Sequence, residues 1–274
     1  MNPLLFLRRI WAFVVRDWRL ELSYRMQFFF RVLSILIVVT TLFFISKIFT
    51  GFTDPRFAQW RDPLAAWLTG LAVLNYFMTG FSSLANAIRQ EQVQGTLESV
   101  LMTPISVPTV VVASSAWDFV QATFFSSLYL LFGWLFFDVH YRGSFLLAGA
   151  FLLLTTVVLS CLGILSASFA MVFKRGDPFG IFLGAGSALF SGVFFPTQLI
   201  REYAGGLASI SRILPATYGL DGIRRVLIEG QGLGQVRDPL LTLLVFLAVL
   251  LPLSLWVFGR AVRRAKREGS LIQY

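Results

Sequence analysis

Charge is what this sequence has least of. Only 14% of its 274 residues are Asp, Glu, Lys or Arg, against 57% hydrophobic, and the mean hydropathy is +0.75. An ordinary soluble chain carries about 25% charged residues to cover its surface, so a soluble domain is excluded. Histidine and cysteine are almost missing, with His140 and Cys161 each standing alone. That excludes a two-histidine metal site and the HExxH metalloprotease pattern, and it leaves no intramolecular disulfide to form. His140 reads as an incidental surface residue. No Gly-Lys pair occurs, hence no GxxxxGK[ST] phosphate loop, and ATP hydrolysis by that route has to come from another chain. The first 27 residues also lack the plan of a cleavable leader, because Arg8, Arg9, Arg16, Arg19 and Arg25 are spread along them.

What is present is apolar sequence in runs of about 20 residues, enough to cross roughly 30 Å of hydrocarbon as a helix. The runs have no polar alternation, which excludes barrel strands. Spans are expected near 32–52, 64–84, 107–137, 144–173, 178–195 and 239–259. The third and fourth exceed what a bilayer needs, so they tilt or project from it. The net charge of +9 comes from twenty Arg and three Lys placed mostly at span ends, which is a topology signal and no sign of nucleic acid. With the N-terminus inside, fourteen Lys and Arg fall on the inner side and nine on the outer. The clusters Arg8–Arg31 and Arg260–Arg267 flank the first and last spans, where this bias is most informative. Both termini are expected in the cytoplasm.

Three segments break the apolar pattern. Residues 1–27 place Leu4, Leu7, Trp11, Val14, Val15, Trp18 and Leu22 on one helical stripe, with Arg9, Arg16, Asp17 and Arg19 opposite. This describes an amphipathic helix in the headgroup plane, compatible with a plain anchor or with a partner contact. Residues 87–104 are polar and too helix-friendly for a simple turn. Residues 196–238 are amphipathic, broken at Pro215 and loosened by Gly230, Gly232 and Gly234. They predict two short helices with apolar faces at Leu199, Leu207, Ile210 and Ile213, then at Leu220, Ile223 and Leu227. Asp221 is spaced to pair with Arg224 or Arg225, and Arg225 with Glu229. Within the spans, Asp118 is the one acid set in apolar sequence, compatible with an ion pathway or a polar interface. Gly180, Gly184 and Ala188 form a small-residue stripe for helix packing.

The segment from Glu91 through Gly95-Thr96-Leu97-Glu98 to Leu101, Thr103 and Pro104 resembles the cytoplasmic signature of ABC-2 type exporter permeases. Ser191-Gly192-Val193-Phe194-Phe195-Pro196 and Leu214-Pro215-Ala216-Thr217-Tyr218-Gly219-Leu220-Asp221 with Arg224-Arg225 resemble that family's C-terminal motifs. The resemblance covers essentially the whole chain. It implies an all-α membrane protein, one domain over 1–274, with six transmembrane helices, the interfacial helix, a cytoplasmic coupling helix over 87–104 and outer re-entrant helices over 196–238. Arg89, Glu91, Gly95, Thr96, Glu98 and Pro104 would then face the ATP-binding subunit, and Pro196, Pro215, Tyr218, Asp221, Arg224 and Arg225 would belong to the outer gate.

The function implied is that of a permease subunit in a bacterial or archaeal cytoplasmic membrane. It would dimerise, bind two copies of an ATP-binding subunit that holds ATP and Mg, and export a hydrophobic or amphipathic substrate (drug-, lipid- or lipid-linked-glycan-like). No cofactor or metal is expected in this chain, nor catalysis by it. The competing reading is an ion-gradient-driven secondary transporter or channel. It needs coupling ions near mid-membrane, and only Asp118 offers an acidic ligand there.

Overall fold

In lipid, apolar runs satisfy their backbone polar groups by folding into helices. The computed structural model describes residues 11, 14–15, 18–19, 21, 24–48, 60, 62–93, 107–173, 178–203, 206 and 208–267, and these contain no strand. In chain order the helices are α1 (Arg25–Ile48), α2 (Pro63–Val93), α3 (Val107–Phe137), α4 (Phe145–Phe173), α5 (Pro178–Phe190), α6 (Thr197–Tyr203), α7 (Ala208–Ile213), α8 (Pro215–Leu227) and α9 (Arg237–Arg267).

Five of them, α1, α2, α3, α4 and α9, are long and apolar enough to cross a membrane. The expected fifth span differs. Helix α5 has 13 residues, about 20 Å at 1.5 Å per residue, short of spanning length. It stops because Ser191–Pro196 turns, with Gly192 at φ +85°, a conformation that glycine adopts without steric cost. The first span begins earlier than its apolar run suggests: α1 includes Arg25 and Arg31, and a turn at Tyr24, whose N–H donates to Glu21 O at 2.9 Å, separates it from the preceding segment. Residues 11, 14, 15, 18, 19 and 21 of that segment are helical, with Trp11 and Trp18 exposed. Leu4, Leu7 and Leu22 lie outside the described residues.

Helix starts are written in the sequence. Asp62 accepts the Ala65 N–H at 3.1 Å as the N-cap of α2, with Pro63 at the first helical position. Pro215 opens α8 in the same position.

Helix α2 is the centre of the bundle. Its apolar stretch is 67% buried, against 11% in both α1 and α9. One face joins Ile35, Val39, Phe125 and Val139 through Leu64 and Leu68. The other joins Phe151, Leu159, Leu220 and Leu243 through Val73, Phe77 and Phe81. Polar side chains add cross-links where the apolar contrast with lipid supplies none. The Asn75 amide donates to Ser126 Oγ (3.1 Å) and Ala122 O (3.2 Å), while Ser126 Oγ donates to Ala72 O at 2.7 Å. Of the small-residue stripe of α5, Gly184 packs here too, with a Cβ on it reaching within 2.9 Å of Met78 Sδ.

The bundle has two distinguishable ends. Arg25, Arg31 and Gln121 lie near one. At the other, Trp60 precedes α2, the 138–144 loop joins α3 to α4, and α8 ends. The Arg142 N–H donates to Leu227 O at 2.9 Å, and a Cβ on Gly143 would collide with Val226 O. Helix α8 runs antiparallel to α4, since Gly143 meets Val226, Phe151 meets Gly222 and Thr155 meets Gly219. Thr155 is ten residues, about 15 Å, along α4. The N-terminus of α8 therefore sits well inside the bundle.

Helices α2 and α4 cross at Gly80 and Gly163, where a Cβ on Gly163 would collide with Gly80 O and approach Phe81 O to 3.0 Å. Both obstacles are backbone, which cannot rotate away. Gly163→Ala is expected to destabilise the purified protein by about 1–3 kcal/mol, read as a lower melting temperature in detergent. Gly149→Ala, whose Cβ meets nothing within 4 Å, should leave melting unchanged.

Candidate functional site

At the Trp60 end a single cation holds three elements together. Arg224 lies in the last turn of α8, 3% exposed. Its Nη1 donates to Gly192 O at 2.6 Å, and its Nη2 to Ala66 O at 2.7 Å and Val193 O at 3.1 Å. The guanidinium carbon stands 4.8 Å from the centroid of the Trp60 ring, close enough for a cation–π contact. Burial pushes the guanidinium down to about 9, and the Asp221 carboxylate acts against that shift. It remains a cation at neutral pH. A buried charge is tolerable only when hydrogen-bonded, and here backbone dipoles supply the acceptors.

Local sequence explains why those carbonyls converge. The left-handed Gly192 turns the chain after α5 so that the 192 and 193 carbonyls face α8. Phe194 O is held from the other side by Trp67 Nε1 at 2.8 Å. Gly70 keeps the space open, since a Cβ there would come within 2.8 Å of Val193 O and 2.9 Å of Arg224 Nη2. The Ser191–Pro196 turn is therefore stapled to α2 by Trp67 and to α8 by Arg224.

Beside the clamp lies a polar cavity of about 220 Å³. Its walls include Thr197 and Gln198 of α6, Tyr218 and Asp221 of α8, and Asp238 and Thr242 of α9. Three buried polar atoms that border it have no hydrogen-bond partner among the described residues: Arg224 Nε, Ser191 Oγ and Thr217 Oγ1. The space is polar and large enough for several water molecules, which can satisfy such groups. Nearby, burial raises the Tyr141 phenol well above its ordinary range, and the Asp62 carboxylate adds to the effect.

The structure brings the expected outer residues together, with one correction. Asp221 pairs with Arg225, Nη2 to Oδ2 at 2.9 Å, at helical spacing i, i+4. Arg224, expected as an equal candidate for that pair, turns into the carbonyl clamp instead. The reason is periodicity: Ala216, Leu220, Ile223 and Leu227 form the buried stripe, and position 224 falls within it. Glu229 accepts from Gln231 Nε2 at 2.7 Å. Tyr218 donates to Arg212 O at 3.0 Å, which ties α7 to α8. Pro215 is buried at the start of α8, and Pro196 closes the stapled turn. Leu199 packs against the Trp60 cluster, whereas Ile213 is 71% exposed, so the apolar edge expected on α7 is open in the isolated chain.

At the opposite end, α2 continues past its apolar stretch, so that Arg89 and Glu91 lie on its last turns. Gly95, Thr96, Glu98 and Pro104 lie outside the described residues. Asp118 lies in the first half of α3 and is half-buried. His140 stands 3.6 Å from Asp138, both exposed. Sequence reasoning missed Trp60, Trp67 and Gly70. Trp60 and Trp67 resemble interfacial anchors, and a mid-helix glycine carries no sign of what it faces.

Fold and site together define a multi-pass helical membrane protein. A family model described as ABC-2 type transporter matches residues 8–228, and the chain belongs to that family. No curated protein and no solved structure matches it. As an ABC-2 permease it is the membrane component of a transport system, is not itself the catalytic part, and has an ABC ATP-binding subunit as its general type of partner.

Arg224→Met is expected to cost about 3 kcal/mol or more, because it leaves three buried carbonyls without their charged donor. Arg224→Lys should rescue only part of this, since a single ammonium does not reproduce the planar fork. Arg225→Gln, which removes a partly exposed pair, should cost under about 1 kcal/mol. Thermal melting of the three variants in one detergent checks the order.

Proposed function

We propose that the chain is the permease half of an ATP-driven exporter. Two copies form the path, each engaged by a separately encoded ATP-binding subunit that holds ATP and Mg. The observation that carries this reading is the reach of α2. Its 31 residues make a rod of about 46 Å. One end of the rod is gripped by Arg224 through Ala66 O, and the other carries Arg89 and Glu91 into the 89–104 segment that resembles a coupling helix. A packed helix transmits displacement with little loss, so an ATPase pushing one end would act on the clamp at the other.

On this reading α8 is a re-entrant helix, and with α6 and α7 it closes the outer exit. The 89–104 segment and both termini face the cytoplasm of a bacterium or archaeon. The cargo is hydrophobic or amphipathic, in keeping with the apolar composition of the spanning helices. The exposed apolar faces of α1 and α9 meet lipid or the second copy. The ion-coupled alternative would need Asp118 to hold its coupling ion.

Co-expression with a P-loop ATPase encoded beside it should yield a stable complex with vesicle-reconstituted ATPase activity. Glu91→Ala and Gly95→Leu are expected to lower that activity several-fold while the chain still inserts and melts normally. Cysteines placed near residues 5 and 270 should be labelled from the cytoplasmic side only. Ion-driven uptake by the purified chain alone would overturn the proposal.

A further inference from the structure

A second cavity, at the Arg25 end of the bundle, has a different character. It measures about 300 Å³ and runs between the N-terminal segment with the start of α1 and the facing side of α3. Trp18 and Trp117 meet edge to face across it at 5.7 Å. Its floor is an aromatic cluster in which Phe28 lies 5.5 Å from Phe124 and 5.8 Å from Phe125. The size and the apolar, aromatic lining with a few polar groups are those of a ligand site. It is set beside the start of α1 at Arg25, where that helix's apolar stretch begins. Tryptophan pairs belong at that depth, the headgroup boundary. The flanking α1 surface is itself apolar and open, with Met26, Phe29 and Phe30 all more than half exposed. The groove therefore opens towards hydrocarbon.

The polar groups fix what kind of amphiphile fits. Glu21 and Arg25 stand at the rim. Behind the floor, the Arg31 guanidinium lies 3.8 Å from the Phe125 ring centroid and donates to Gln121 Oε1 at 3.2 Å, and both of those residues line the groove. Among the described residues that line or back the groove, two cations (Arg25 and Arg31) and one carboxylate (Glu21) leave a net positive charge beside an apolar slot. Of membrane amphiphiles, one with an anionic head is favoured by this field over a zwitterionic or cationic one.

We propose that this groove is a resident site for an anionic phospholipid of the adjoining leaflet. An acyl chain occupies the aromatic slot, and the phosphate is held at the rim by Arg25. The lipid would bridge the N-terminal segment and α1 to α3. The site does not depend on the exporter reading, because it is built within one chain.

The full chain in nanodiscs provides the test, with dibrominated acyl chains as quenchers of tryptophan fluorescence. The difference between wild type and Trp117→Phe isolates the signal from the groove. At equal amounts of phosphatidylglycerol and phosphatidylcholine, bromines on the phosphatidylglycerol should quench that signal at least twofold more than bromines on the phosphatidylcholine. Arg25→Gln should abolish the preference, and Arg25→Lys, which keeps the charge, should retain most of it. Arg25 is exposed, so neither change disturbs packing. Equal quenching by both lipids, or a preference that survives Arg25→Gln, overturns the proposal. Absence of quenching by either also overturns it, and indicates that a second copy of the chain covers the groove.

Discussion

The arrangement at the Trp60 end depends on a buried cation held by backbone carbonyls. Arg224 is buried against the carbonyls of Gly192, Val193 and Ala66. Carbonyl dipoles can stabilise a guanidinium only if several converge at fixed distances, because each is weak alone. That requirement propagates outward. It demands the left-handed glycine at 192, the missing side chain at 70, the indole of Trp67 to hold Phe194 O, and the antiparallel course of α8 along α4. Three elements distant in sequence become one unit because one cation needs all of them.

The rest of the bundle follows an opposite economy. Away from the clamp, cohesion comes from close approach and from short hydroxyl and amide bonds, such as Asn75 to Ser126 and Ser126 to Ala72. Hydrocarbon around the protein removes most of the ordinary driving force for burying leucine. Contacts between small residues, as at Gly80 and Gly163, take its place. Helix α2 gathers both kinds of contact and is the most buried of the spanning helices, while α1 and α9 stay on the periphery.

Much of this architecture can be read from the sequence alone. Hydrophobic runs located all five helices of spanning length, and the ends of α3 matched. The break expected at Pro215 falls where α8 begins. The apolar face expected at Leu220, Ile223 and Leu227 is the buried face of α8. Two things were hidden. Helix α5 ends early because of a turn whose cause, the Gly192 conformation, serves a partner 32 residues away. Arg224 looked like one of two interchangeable partners for Asp221, because ion-pair spacing considers charge and ignores which face is buried. A hydrogen bond from a side chain to the backbone 158 residues distant leaves no trace in either residue's neighbours. Carbonyl acceptors are present at every position, so no residue type marks the ones that are used.

The strength of the clamp bears on its proposed role as part of a gate. A hydrogen bond from a charged donor contributes about 1.5–3 kcal/mol. Releasing two of the three bonds to Arg224 would then require roughly 3–6 kcal/mol. A two-state element needs about 5.5 kcal/mol of differential stabilisation to pass from almost fully closed to almost fully open. The two quantities are of one scale. A clamp much weaker would leave the exit open at rest, and an equally buried ion pair would hold it too firmly, since breaking such a pair strands an uncompensated charge. Carbonyls lessen that penalty, because release strands one charge instead of two, and both the freed carbonyls and the guanidinium, which also lines the adjoining polar cavity, can turn to water there. A charge held by backbone dipoles beside a hydrated space can therefore be stable in the closed form and still be released by a displacement of α2.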